Sequence, residues 1–441
     1  MVHHTIATAI ASARKISRNT QAMHPLCSIG CATALLALWG CATSPPQESA
    51  VAPALICPPV ERALCPAPAT TPPQATAPTP APPVEYRGKL QPASWMDLPD
   101  WRREPLKPAL EAFVRSCTVL DKQDAWRGVC SAATTLLQAA TEAHIASFFE
   151  LNFDPHQVIN SDDTAAGMVT GYYEPLLRGS RTRSSRFPHP LYGVPQDLLV
   201  IDLSSVYPDL KHKRLRGRLE GNRVVPYFAR GDIDRDSQPL KGRAIAWVDD
   251  AVDAFFLHIQ GSGQVELENG ERMRVGYADQ NGHPFRSLGG LLIRRGEIPP
   301  ERASMQGIKD WARRNPRKVQ QFMNENPSYV FFRELPRDLP GPIGSLGVPL
   351  TAERSIAVDP RVIPLGVPVF LATTWPNTAD PLNRLMVAQD TGGAIAGAVR
   401  ADFFWGFGDP AGNQAGKMRQ SGRMWVLLPK GYTPPIAVAA P

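Results

Sequence analysis

The pattern of apolar and polar positions divides the chain into three stretches. Near the N-terminus a short apolar run, 26–39, follows Arg14, Lys15 and Arg18. It is too short to span a bilayer comfortably. After Trp95, the segment LKPALEAFVRSCTVL places Leu106, Leu110, Phe113, Val114 and Cys117 at helical spacing. A second helical stretch is predicted over roughly 132–149, packed against the first. From Val169 the period shortens. VPVFLAT (367–373), RLMVAQD (384–390) and RMWVLLP (423–429) are short apolar runs set apart by Gly, Pro and Asn. Such runs predict strands closed into barrels, not a doubly wound sheet. One helical patch, 304–326, interrupts them, with Ser304 as its N-cap and Arg313, Arg314, Arg317 and Lys318 on a solvated face. The expected class is mainly β with helices, α+β.

Composition changes the picture at the N-terminal end. Of 441 residues 45 are proline, roughly twice the usual share. The excess is concentrated in 45–83, a Pro/Ala stretch that can build no core and reads as a solvated tether. Directly before it, Leu38 and Cys41 stand where a bacterial lipobox has its −3 residue and its lipidated cysteine, although Trp39 is unusual at −2. The expectation is a signal peptide over 1–40, lipidation at Cys41 and a tether over 41–94. An uncleaved anchor, or a start at Met23 in place of Met1, is the alternative. Two of the seven cysteines fall in the signal and one takes the lipid. In an oxidising periplasm, Cys57, Cys65, Cys117 and Cys130 are left for two short-range disulfides or for free thiols, and Cys117–Cys130 is the favoured pair. Hydrophobic residues at 43% and charged residues at 20% are globular values. The net charge of +6 comes from scattered arginines, without the basic stripe of a nucleic-acid binder. No CxxC or Cys/His ligand spacing suggests a metal, and no cofactor motif is present.

The densest chemistry is AQDTGGAIAGAVRADFFWGFGDPAG, 388–412, in which Asp390 and Asp402 bracket a glycine-rich loop and Asp409 follows as a turn residue. None of the nine histidines falls here, which disfavours metal-assisted hydrolysis. Ser262 lacks the GxSxG elbow of a serine nucleophile. Asp390-Thr391-Gly392 matches the aspartic-protease tripeptide, but no second copy exists. Glycoside cleavage needs only carboxylic acids, one of them protonated at working pH. Enclosure by Phe403, Phe404, Trp405 and Phe407 is expected to desolvate Asp402 and raise its pKa. A buried strand capped by Asp402 is the competing reading.

The block AQDTGGAIAGAVRADFFWGFGDPAGNQAGKM and the upstream SIAVDPRVIPLGVPVF, which contains Asp359, resemble the three-aspartate domain of the membrane-bound lytic murein transglycosylase A family. TGYYEP (170–175), FFLHIQGSGQVELENG (255–270), VGYADQNGHPFRSLGGLLIRRGEI (275–298) and ENPSYVFF (325–332) agree in order, so the likeness runs from about 95 to 430. The resemblance implies a double-psi β-barrel catalytic domain from 95–176 and 334–441, with a second β-barrel domain inserted over 177–333 and a substrate groove between them. It implies a peptidoglycan lyase of the lytic exotransglycosylase type, cutting the β-1,4 bond between N-acetylmuramic acid and N-acetylglucosamine to leave 1,6-anhydro ends. Matched to the family motif, Asp402 is expected to act as sole acid and base, with Asp390 as its support and Asp359 as a structural residue. For sugar contacts we expect Tyr172, Tyr173, Tyr277, the Gln260-Gly261-Ser262-Gly263 turn, Gly392 and Gly393. The expected partners are glycan strands and, through the lipid, the outer membrane, with the enzyme a periplasmic monomer. A hydrolytic muramidase and a non-catalytic glycan-binding barrel are the alternatives.

Overall fold

A computed structural model of the chain describes residues 88–432 except 140, 211, 212, 236 and 237. The expected signal peptide, Cys41, Cys57, Cys65 and all but the last residues of the tether lie outside the described residues. The mixed α+β class is as expected, and strands dominate.

Six strands pair into a closed ring. Gly167–Glu174 runs parallel to Arg400–Phe407, which is antiparallel to the short Ser355–Ala357 strand. Ser355–Ala357 is parallel to Pro381–Asp390, itself antiparallel to Pro368–Thr374. Pro368–Thr374 pairs with Arg419–Pro429, and residues 419–422 of that strand return to Gly167–Glu174. Closure leaves these six strands without a free edge. Two more strands, Phe153–Ile159 and Lys89–Pro92, extend the sheet from the far half of Arg419–Pro429.

The helical pair forms as the pattern predicts. Lys107–Leu120 and Asp124–Leu137 pack together, and a Cys117–Cys130 disulfide joins them. Phe113, Trp126, Phe149 and Phe153 build an aromatic cluster beneath them. The stretch expected as one helix over 132–149 is instead divided between Asp124–Leu137 and Glu142–Asn152. Thr141 restarts the second by accepting from His144 N at 3.3 Å, a cap that satisfies an otherwise orphaned amide. The patch at 304–326 also splits. Ser304 caps Met305–Arg314 as expected, accepting from Gly307 N. Pro316 then opens Pro316–Asn324, because it has no N–H to continue the ladder. The basic face there is largely paired: Arg313 meets Asp310 and Lys318 meets Glu297.

Between the strands Gly167–Glu174 and Ser355–Ala357 the chain builds a second, six-stranded sheet. Its order is Val330–Leu335, Arg272–Gln280, Ser262–Leu267, Leu176–Ser180, Ala244–Val248 and His189–Tyr192. Helices Ala251–Gln260, Leu288–Arg294, Met305–Arg314 and Pro316–Asn324 enclose a separate core with Phe255, Leu292, Trp311 and Phe322. Only Pro175 separates the last ring residue, Glu174, from this sheet.

Candidate active site

Alternation along two adjacent strands creates the site. On Arg400–Phe407, Ala401, Phe403 and Trp405 join the main core, while Phe404 belongs to a small cluster with Tyr172, Leu350, Ala357 and Ile395. The period of two therefore puts Asp402 and Phe404 on the other face. Asp402 pairs with Thr170 and Phe404 with Tyr172 across the parallel ladder, and the Tyr172 and Phe404 rings stand 5.1 Å apart. The aromatic enclosure expected around Asp402 is corrected accordingly. Phe403 and Trp405 point to the opposite face, Phe407 is exposed, and only Phe404 shares the face of Asp402.

Asp402 is half-buried, and its partners are directional. Thr170 Oγ1 donates to Asp402 Oδ1 at 2.5 Å, while Arg400 Nη2 donates to that same Thr170 oxygen at 2.9 Å. With its oxygen engaged by Arg400, the threonine hydroxyl directs its proton to Oδ1, so a protonated Asp402 carries its proton on Oδ2. Burial pushes the Asp402 carboxyl up to about 6; the Thr170 bond and the Arg400 charge pull it down, and the Asp390 charge adds a small upward push.

Asp390 ends its strand one residue after Gln389. Gln389 is fully buried and donates to Ala112 O and Ser116 Oγ at 2.8 and 2.9 Å, while Ser355 Oγ donates to its Oε1. This satisfied network fixes the strand end that carries Asp390. Asp390 Oδ1 accepts from Ser345 N, Ser345 Oγ and Thr391 N at 2.8–2.9 Å, and Oδ2 accepts from Tyr172 Oη at 3.0 Å. Burial raises its pKa, and these four donors oppose the rise. Tyr172 is raised well above its ordinary value by burial and by both aspartates, so it stays a donor. Ala357 pairs with Asp402 on one side and Asp390 on the other. The two backbones are thus two strand spacings apart, roughly 10 Å, with a methyl group between them.

The remaining expected residues are placed unevenly. Gly392 and Gly393 follow Asp390 after Thr391; a Cβ at Gly392 would stand 2.7 Å from Ile395 Cγ1, whereas Gly393 has open space around it. Tyr173 joins the main core, donates from its hydroxyl to Met305 Sδ at 3.2 Å, and uses its amide to bond Gln260 Oε1 at 3.0 Å. Gly261, at φ 77°, terminates the Ala251–Gln260 helix, and Ser262 and Gly263 are buried in the second sheet. Tyr277 is 38% exposed on the Arg272–Gln280 strand. Among the described residues no hydrogen bond links Tyr173, Gln260–Gly263 or Tyr277 to either aspartate. Asp359 is fully buried and paired with Arg361, and Asp409 lies in the first turn of the Gly408–Ala415 helix, not in a free turn. Thr170, Ser345 and Arg400 were not foreseen. Thr170 carried a signal: it stands two residues before Tyr172, on the same strand face.

Two family models match the chain. The MltA specific insert domain covers 168–333, and the 3D domain covers 354–428. Membrane-bound lytic murein transglycosylase A of Escherichia coli (strain K12) is 31% identical over 285 residues, 63% of this chain and 70% of that protein. The chain belongs to the membrane-bound lytic murein transglycosylase A family. Among its solved members, MltA from Neisseria gonorrhoeae (monoclinic form) is 40% identical with a TM-score of 0.68, covering 79% of this chain and 94% of that one. E. coli MltA with bound chitohexaose is 27% identical with a TM-score of 0.58, over 78% and 94%. Both family models contribute to the site. Asp390 and Asp402 fall in the 3D match, while Thr170 and Tyr172 fall at the start of the insert match, on a strand that pairs within the ring.

Proposed function

We propose that this chain is a lytic transglycosylase of peptidoglycan that uses Asp402 as its only proton-transferring group. The observation that carries this reading is the asymmetry between the two carboxyls. Asp402, pushed up to about 6, meets one neutral hydroxyl, whereas four donors hold Asp390. A carboxyl held near 6 can give a proton and take one back. Asp402 Oδ2 protonates the glycosidic oxygen as the bond from C1 of N-acetylmuramic acid breaks. The resulting carboxylate accepts the proton of the same sugar's C6 hydroxyl as O6 closes on C1. The proton is back on Asp402, no water is consumed, and the products are a free 4-hydroxyl and a 1,6-anhydro end. Tethering O6 to the reacting ring replaces an activated water through its high effective concentration, so no second catalytic carboxylate is required. Asp390 holds Tyr172 and, by like charge, helps keep Asp402 protonated.

The family's relatives named for murein and the chitohexaose-bound member support a glycan substrate. We assign the facing wall of the groove to Gln260–Gly263 and Tyr277 of the second sheet. The relatives' description as membrane-bound supports a place in the cell envelope. Among the described residues no helix is long and apolar enough to cross a membrane, and lipidation at Cys41 would supply the anchor. Mass spectrometry of murein digested with the purified protein tests the reaction. Muropeptides lighter by one water are expected; reducing ends alone would mean hydrolysis and would sink the proposal.

A further inference from the structure

A cavity of about 320 Å³ opens where the segment from Asp100 to Pro105 meets the Pro368–Thr374 and Pro381–Asp390 hairpin. Arg384, on its wall, precedes Asp390 by six residues on one strand, so the cavity lies roughly 20 Å from the aspartates. Its lining carries both signs of charge, three arginines and two acids, and Arg384 reaches Glu353 outside the lining. Arg103 contacts Asp100, Arg354 contacts Glu104, and Arg384 contacts Glu353. The Arg384 guanidinium also lies over the Trp375 ring, 5.6 Å from its centroid. Glu104 and Arg354 are 8% and 5% exposed, and Glu104 Oε2 has no hydrogen-bond partner. A buried carboxylate oxygen without a donor is costly, and such groups in native folds call for an explanation.

An anion would meet Glu104 and Asp100 here, and a simple cation would meet three guanidinium groups. A ligand bearing both an ammonium and a carboxylate satisfies both sets. Charge-assisted bonds from arginine to a carboxylate, and from an ammonium to Glu104 and Asp100, are the strong kind, and the indole offers apolar contact beside them. We propose that this cavity binds a short zwitterionic peptide, the peptide branch carried by the glycan, so that the enzyme reads the branch at one end of the ring while it cuts sugar at the other. This rests on the peptidoglycan reading above.

Calorimetric titration of the full-length protein with the tetrapeptide alanyl-glutamyl-diaminopimelyl-alanine tests it, with the same peptide N-acetylated on its amines as control. The free peptide is expected to bind and the acetylated one not. Arg103→Glu, at a side chain 85% exposed and safe for folding, and Arg384→Gln should each weaken binding roughly tenfold. On peptide-bearing glycan they should raise KM by a similar factor with kcat unchanged, and turnover of peptide-free glycan should not move. Equal binding of the acetylated peptide overturns the proposal, as do equal losses on both glycans. Peptide binding without any KM effect would mean a free peptide ligand and would overturn the assignment to the branch. The titration needs no turnover, so a protein that binds the peptide but forms no anhydro ends would refute the transglycosylase reading alone.

Discussion

Asp359 and Asp402 are aspartates of the same 3D-domain match, each with an arginine two residues away in sequence, and they are tuned in opposite directions. Arg361 reaches Asp359 directly, with Nε and Nη2 on its two oxygens at 2.7 and 2.5 Å, and Gly397 N adds a third donor at 2.8 Å. Despite burial, these contacts hold the Asp359 carboxyl below its ordinary value. Arg400 reaches Asp402 only through the Thr170 hydroxyl, and burial wins, lifting Asp402 to about 6. One intervening hydroxyl separates a direct ion pair from the carboxyl proposed as the acid. The first pins the turn at 359–363 to the loop ending at Gly397; the second holds its proton into the weakly acidic range, where an ordinary aspartate is already ionised.

The comparison breaks most visibly at Asp402 itself. Asp402→Asn should lower the release of anhydro-muropeptides by about a thousandfold, while sedimentation with insoluble murein still shows binding. An unaltered rate would remove Asp402 from the mechanism. Arg361→Ala leaves a buried carboxylate unpaired and should cost about 3 kcal/mol in urea unfolding. Its pH–rate profile should keep the wild-type shape; a displaced profile would show that the two aspartates are not independent.

A subtler contrast lies in stability against pH. Asp402 titrates near 6 in the folded protein, above the ordinary 3.8. Its contribution is full below the ordinary value and is lost as pH rises through 6. Asp359 runs the other way, stabilising above the ordinary value and failing only as pH falls through its lowered one. Asp402→Asn should therefore be more stable than wild type by about 2 kcal/mol at pH 8 and no more stable at pH 4. Thermal melts at the two pH values decide this, and a gain of equal size at both would contradict the assigned titration. The smallest effect is expected from Thr170→Val. Losing its bond raises the Asp402 pKa, so the alkaline limb of kcat/KM moves upward while the rate at pH 5 drops less than about tenfold. Arg400→Gln should move the limb the same way; a shift in the acid direction in either variant would mean that the hydroxyl relay is misassigned.

How much of this was readable in advance depended on how local each feature is. The helix around Phe113, the Ser304 cap and the strands at 367–373, 384–390 and 423–429 follow from periodicity within a dozen residues, and all appear. The Cys117–Cys130 bond joins neighbouring helices only 13 residues apart. The helix starts after Thr141 and at Pro316 are also local, marked by the threonine cap and by the proline, but apolar spacing alone does not carry them. The face of Asp402 differs from the expectation for a related reason. In ADFFWGF four aromatic residues read as one enclosure, yet strand alternation sends Phe403 and Trp405 to the opposite side.

By itself the sequence determined which groups were available: three aspartates without a histidine near them, a glycine pair two residues after Asp390, and short strands between turns. Period and residue chemistry are properties of neighbours along the chain, so they survive without a fold. Only the tertiary structure decided which carboxyl is lifted to about 6. Thr170 lies 232 residues from Asp402, and Tyr172 lies 218 from Asp390. A pKa depends on burial and on donors brought in from other strands. Ring closure between Gly167–Glu174 and Arg400–Phe407 supplies both at once.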